Sequence, residues 1–278
     1  SGFFLGLTTF VKTITFPLIF LLLLPFFIIH LKKNHTILKI IVSLLLFLTA
    51  ALAPITERLK NNIQQYNTFS LTSQVGTHLA YWVTPTILCY IKNINREDAI
   101  NIVNTEVEKK ISKEMNFYEE SKILTNISFS FLKEIKYLDL VYIWSRASLL
   151  NLITPSILLD KKVRNLPHPS FYSVSEPLEW LNKLFINSNY YNYLFIIFIA
   201  SFASLFVLLS LFLGPIFLFK KDKFICIVTI VYIMYFLLIT GPVLSPKYIV
   251  PLLPCLFLYQ AITLSKLLEW KDFLLSRK

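Results

Sequence analysis

Glycine is scarce in this chain, with five residues in 278. Loops of the GxxxxGK or GxGxxG kind, which wrap phosphates with backbone amides, do not occur. Cysteine is limited to Cys89, Cys226 and Cys255. Their odd number, with no CxxC and no histidine cluster beside them, implies neither a disulfide framework nor a zinc site. No cofactor motif is identified, and a divalent metal has no ligand set to support it. Charge is sparse as well: 15% of residues are charged, where a soluble domain carries about a quarter. Acidic residues are the rarer sign, 16 against 27 basic, for a net charge of +11.

Apolar residues make up 55% of the chain, and the mean hydropathy is +0.62. A soluble enzyme of this length buries its apolar residues in one or two cores and needs no long uninterrupted apolar runs. Here five segments approach the length of about 20 residues at which a helix crosses a bilayer: 13–31, 37–53, 193–219, 224–239 and 248–264. The second and fourth are slightly short, which tilt or interfacial flanks accommodate. Pro17, Pro25, Pro251 and Pro254 fall near segment ends or kinks. The fold class expected is therefore an all-α membrane protein with about five transmembrane helices and a mostly helical extracytoplasmic region.

Orientation follows from lysine and arginine in short loops. Lys32, Lys33 and Lys39 mark the first turn, Lys220, Lys221 and Lys223 the turn between the third and fourth spans, and Lys266, Lys271, Arg277 and Lys278 the tail. All three clusters share one side if every apolar segment spans once, so that side is read as cytoplasmic. The expected division is a transmembrane hairpin at 1–54, an extracytoplasmic helical region at 55–190, three transmembrane helices at 191–268 and a cytoplasmic tail at 269–278. This describes a multi-pass protein of the plasma (inner) membrane. Region 55–190 carries 15 basic against 13 acidic residues, a net of +2, and the remainder a net of +9. The excess charge thus sits in topology-setting turns, which argues against a nucleic-acid surface.

Within the large loop, Ile100, Val103, Val107, Ile111 and Met115 recur every three or four residues and predict an amphipathic helix over 97–115. Segment 137–159 is apolar and aromatic but broken by Asp139, Arg146 and Asn151. It either lies on the membrane surface or re-enters; as a sixth span it would put the basic turns on opposite sides. Three prolines and several serines make 165–177 a loop. The chain opens at Ser1-Gly2 inside an apolar run with no signal peptide, as expected of a fragment of a larger membrane protein.

Two lysines fall on the side opposite the basic turns. Lys12 ends the run Gly6-Leu7-Thr8-Thr9-Phe10-Val11, and Lys247 precedes Tyr248 at the start of the last span. An ionisable group at that interface needs water or a partner. A lysine there either holds a lipid-borne phosphate as a point charge or snorkels to anchor a helix end. Carboxylate candidates are Glu57, Glu97-Asp98 and Glu119-Glu120, each equally readable as part of a solvated helix face. The uncharged stretch 66–85 is rich in hydroxyls and aromatics, with a lone His78. Ser73, Gln74, His78 and Tyr81 in it suit a sugar or acceptor surface; an extended loop packed on the bundle is the plain alternative. Asn126-Ile127-Ser128 fits an N-glycosylation acceptor, a pattern common by chance.

These segments, in order, resemble the GT-C superfamily of integral-membrane glycosyltransferases, which includes dolichyl-phosphate-mannose protein mannosyltransferase-like and aminoarabinose-transferase-like families. Gly6 to Lys12 running into a Leu/Pro-rich span is similar to one family segment, and residues 53–81 to a second. The helices over 97–136 fall where those proteins place amphipathic ones, and residues 245–254, with Lys247-Tyr248 and three prolines, resemble the C-terminal motif. The chain departs from the family at Ile55-Thr56-Glu57, where Trp-Arg-Asn is usual, with Arg58 and Asn61 displaced, and at Lys247, where arginine is usual. The resemblance implies a C-terminal portion of a transferase moving a sugar from a polyprenyl-phosphate donor to a glycan, lipid or protein acceptor. It implies Lys12, Lys247 and Tyr248 at the lipid phosphate, Ser73, Gln74, His78 and Tyr81 near the acceptor or sugar, and a catalytic carboxylate upstream of Ser1. The expected partners are membrane lipids, donor and acceptor, and no nucleic acid. The alternative is a non-catalytic transporter or assembly subunit with an extracytoplasmic interaction domain.

Overall fold

A computed structural model describes residues 1–32, 35–111, 115–169 and 177–275. Lys33, Arg277 and Lys278 of the basic clusters, and most of the loop expected at 165–177, lie outside these residues. Among the described residues there is no strand. Five helices among the described residues are long and apolar enough to cross a membrane: α2 (Thr13–Leu31), α3 (Ile37–Tyr66), α9 (Ser188–Lys221), α10 (Lys223–Thr240) and α11 (Val250–Trp270). All five expected spans are present. The protein is an all-α, multi-pass membrane protein by the length and composition of these helices.

The span boundaries differ from the sequence reading where polar residues extend a helix. The second span continues through Ala53-Pro54-Ile55 into a polar segment ending at Tyr66. Pro54 falls in the first turn of that continuation, where its missing N–H costs little. Asn67 then terminates the helix in the left-handed conformation, with φ of 50°. Asparagine tolerates that region better than most residues.

Two compact units divide the chain, Ser1–Ser148 with Ile227–Val243, and Leu149–Cys226 with Leu244–Lys278. In the first unit α1 (Gly2–Val11) lies against α3. Gly2 and Gly6 sit one turn apart, and a Cβ at Gly6 would fall 2.2 Å from the Ala51 carbonyl oxygen. This small-xxx-small spacing lets two backbones approach in an apolar setting where packing and not water drives association. Ile19, Phe47, Ala51, Ile55 and Leu71 form the buried cluster beneath.

The same unit contains a three-helix assembly from the large loop: α4 (74–92), α5 (Arg96–Glu108) and α6 (Phe117–Lys133). Ala80, Leu88, Ala99, Val103, Val107, Leu124 and Ile127 make its core. Val103 and Val107 carry the stripe read from the sequence, but the helix expected over 97–115 stops at Glu108. Asn116 starts the next one with a capping box: its side chain accepts from the Tyr118 and Glu119 amides, and Glu119 accepts from the Asn116 amide. A strong start signal at 116 therefore overrides the continuing periodicity, while Ile111 still packs on the core. Segment 137–159 contains α7 (Tyr137–Ile153), which is not among the five span-like helices.

In the second unit α9 and α11 pack together. Leu218, Leu256 and Tyr259 are buried, and Cys226 donates its thiol hydrogen to the Pro215 carbonyl at 3.4 Å. A short helix, α8 (Pro177–Ile186), precedes α9.

Candidate functional site

Lys247 lies in the 3-10 turn Pro246–Tyr248, which precedes α11; a second 3-10 turn, Val250–Leu252, opens α11. Pro246 and Pro251 suit such turns because their φ is already set and they need no amide partner. The entry to the turns is fixed by a buried side chain: Asn151, 5% exposed, accepts the Ser245 N–H at 2.9 Å. The Tyr248 amide closes back on the Ser245 carbonyl at 3.0 Å. Lys247 is exposed, with its Nζ 5.2 Å from the centroid of the Tyr248 ring. A cation on an aromatic face is attracted by the ring quadrupole, which favours the ammonium beside the Tyr248 ring. The sequence reading missed Asn151 as a positioning residue; its signal was an amide inside an otherwise apolar helix.

Lys12 occupies a different break. It ends α1 in an extended conformation, φ −131° and ψ 97°, before the 3-10 turn that opens α2. Its carbonyl accepts from both the Thr15 amide and the Thr15 hydroxyl, at 3.1 and 2.9 Å. The Thr9 and Thr15 hydroxyls meet at 2.9 Å. Tyr235 donates its hydroxyl to the Ile14 carbonyl, satisfying a backbone group freed by the break. The Lys12 side chain is exposed. Lys12 belongs to the first unit and the Lys247-Tyr248 pair to the second.

The stretch 66–85 is helical from Gln74 onward, correcting the extended-loop alternative. Gln74–His78 is α-helical, Leu79–Val83 forms a π turn, and Thr84–Lys92 continues as α-helix. π turns inside α-helices re-aim side chains and recur at functional places. Gly76 explains why a hydroxyl-rich run folds this way: its amide donates to Ser121 Oγ on α6 at 3.0 Å.

The four residues suggested for an acceptor surface sit on or beside this helix with different environments. Gln74 is exposed, and Ser73 is half-buried at the N-cap position without a capping bond. The His78 imidazole Nε2 lies 3.4 Å from the Thr240 carbonyl. Nearby, Trp144 donates to the Leu238 carbonyl at 3.1 Å. These two side chains thus meet carbonyls that α10 leaves open at its C-terminus. Tyr81 packs against the three-helix core. Burial, aided by Glu120, pushes its phenol above the ordinary value, so it is a neutral hydroxyl at neutral pH and no base.

Glu97-Asp98 and Glu119-Glu120 serve helix starts, whereas Glu57 lies within α3. Glu57 is in the first turn of the polar segment 56–66. Glu97 and Asp98 open α5, where Asn95 caps the Asp98 amide at 2.9 Å. Glu119 and Glu120 open α6. Negative charge there complements the positive end of the helix dipole, which accounts for their placement. The Asn126 acceptor pattern falls mid-helix, with Ser128 wholly buried and bonded to the Leu124 carbonyl. No family model, no curated protein and no solved structure matches the chain.

Proposed function

We propose that the chain is the membrane-embedded C-terminal part of a glycosyltransferase that uses a polyprenyl-phosphate sugar and serves an acceptor on the extracytoplasmic side. The observation that carries this reading is the Lys247-Tyr248 turn: an exposed ammonium over an aromatic ring, at the head of an apolar span, on a backbone pinned by Asn151. An apolar polyprenyl chain fits beside span-like helices, and a fixed cation at their end suits its phosphate.

In the reaction an acceptor hydroxyl attacks the anomeric carbon, and the bond from that carbon to the phosphate oxygen breaks. The lipid phosphate leaves with the electron pair, and the hydroxyl proton passes to a carboxylate base. Lys247 stabilises the charge that grows on the leaving phosphate. Within this chain the phosphate contact is assigned to Lys247 of the second unit; Lys12, Ser73 and Gln74 belong to the first unit and take no step in it. None of Glu57, Glu97-Asp98 and Glu119-Glu120 is assigned as the base: the two pairs occupy helix starts, and Glu57 lies within the polar continuation of α3.

The reading is tested by expressing the full-length gene product in membranes and following labelled sugar from a panel of polyprenyl-phosphate hexoses and pentoses. Transfer above control membranes supports it. A folded, membrane-inserted protein inactive with every donor would favour a transporter or assembly subunit.

A further inference from the structure

An open cavity of about 320 Å3 near the end of α2 and the start of α3 is lined by His30, His35, Leu38, Lys39, Val42 and Ser43. A water takes about 30 Å3 of liquid, so the space accommodates a phosphate and part of the group it esterifies. Its polar lining consists of two imidazoles, an ammonium and a hydroxyl, all able to donate, and no carboxylate. The two imidazole rings are neighbours, with centroids 5.2 Å apart.

Backbone and charge point the same way. The cavity reaches the first turn of α3 through Leu38 and Lys39, and Thr36 at the N-cap makes no side-chain capping bond. The amides there lack the acceptor that a cap supplies, and the helix dipole favours negative charge. A metal is the wrong ligand: two imidazoles fall short of a chelating set, Lys39 repels a cation, and no group of three metal-binding side chains occurs among the described residues.

We infer that His30, His35, Lys39 and Ser43 bind a phosphate group, borne either by a membrane lipid headgroup or by a soluble phosphoester. The site uses none of the residues assigned to sugar transfer and stands whether or not that reading holds.

Phosphorus-31 NMR of the full chain in neutral detergent tests it, with inorganic phosphate and dioctanoyl phosphatidic acid as probes and protein-free micelles as blank. The expected result is saturable broadening of at least one probe, weakened roughly tenfold in Lys39→Gln and in His30→Gln as a charge-assisted contact is lost. Lys220→Gln, in the other basic turn, should leave it unchanged. Lys39 is exposed, so its variant keeps the test valid if His30→Gln fails to fold. Broadening of phosphatidic acid alone identifies a lipid headgroup; broadening of both probes identifies the phosphate group by itself. Absence of saturable broadening overturns the inference. So does equal weakening by Lys39→Gln and Lys220→Gln, or no weakening in any variant.

Discussion

Gly76 and Ser121 are in backbone contact: the Gly76 amide donates to Ser121 Oγ at 3.0 Å, and a Cβ on Gly76 would lie 2.1 Å from the Ser121 carbonyl oxygen. The obstacle is backbone, so it cannot swing aside. Gly76→Ala should destabilise the three-helix assembly by at least the ~1–3 kcal/mol typical of overpacking. Ser121→Ala, which removes only the hydroxyl, should cost about 1 kcal/mol. Hydrogen exchange across 74–92 and 117–133 checks both, with the larger loss of protection expected in Gly76→Ala.

Asn151 supplies the buried acceptor for the Ser245 amide. Asn151→Ala leaves that donor without its partner, at a cost of about 1–3 kcal/mol. In the proposed transferase the Lys247 turn then loosens, and the Michaelis constant for the lipid donor rises while that for the acceptor stays put. Steady-state kinetics with each substrate varied in turn separates the two.

Glu106 pairs with Lys109 at 2.5 Å, and the lysine's hydrogen bond and charge hold the carboxyl below its ordinary range. A depressed folded value favours the folded state above the unfolded carboxyl value, about 4.3. That contribution fades as pH falls through the lower folded value. A carbon-13 titration of the Glu106 carboxyl should show a lowered midpoint, and Lys109→Ala should return it toward the ordinary one. The pair is solvent-exposed, so global stability should change little.

The lysine-rich turns set the expected orientation. In a cysteine-free background, Lys109→Cys should react with an impermeant maleimide added outside intact cells. Lys220→Cys should react only after permeabilisation. The reverse pattern would invert the topology and place the large loop in the cytoplasm.

The spans were legible because each is an apolar window near the length a bilayer demands, and α2 begins and ends at the residues its composition suggests. What escaped depends on contacts distant in sequence. The extended-loop alternative for residues 66–85 fails from Gln74 onward, where Ser121, 45 positions away, accepts the Gly76 amide and helps fix a helix. The break after Glu108 was written in Asn116 and Glu119, a start signal outweighed in the reading by the recurring apolar positions. At the candidate site, Lys247 and Lys12 stood out as cations on the wrong side of the charge pattern. Asn151, which holds the backbone of one break, is marked only as an amide in an apolar helix, and Tyr235, which holds the other, shows no local pattern.

The central claim is that Lys247 holds the phosphate of a lipid-linked sugar. Its most direct measurement compares sugar transfer by the full-length protein with that of Lys247→Ala and Lys247→Arg at varied polyprenyl-phosphate donor. Losing a charge-assisted contact of about 1.5–3 kcal/mol should lower kcat/KM for Lys247→Ala by roughly ten- to a hundredfold, with Lys247→Arg restoring most of it. Unchanged kcat/KM in Lys247→Ala, in a protein that transfers sugar, would contradict the account.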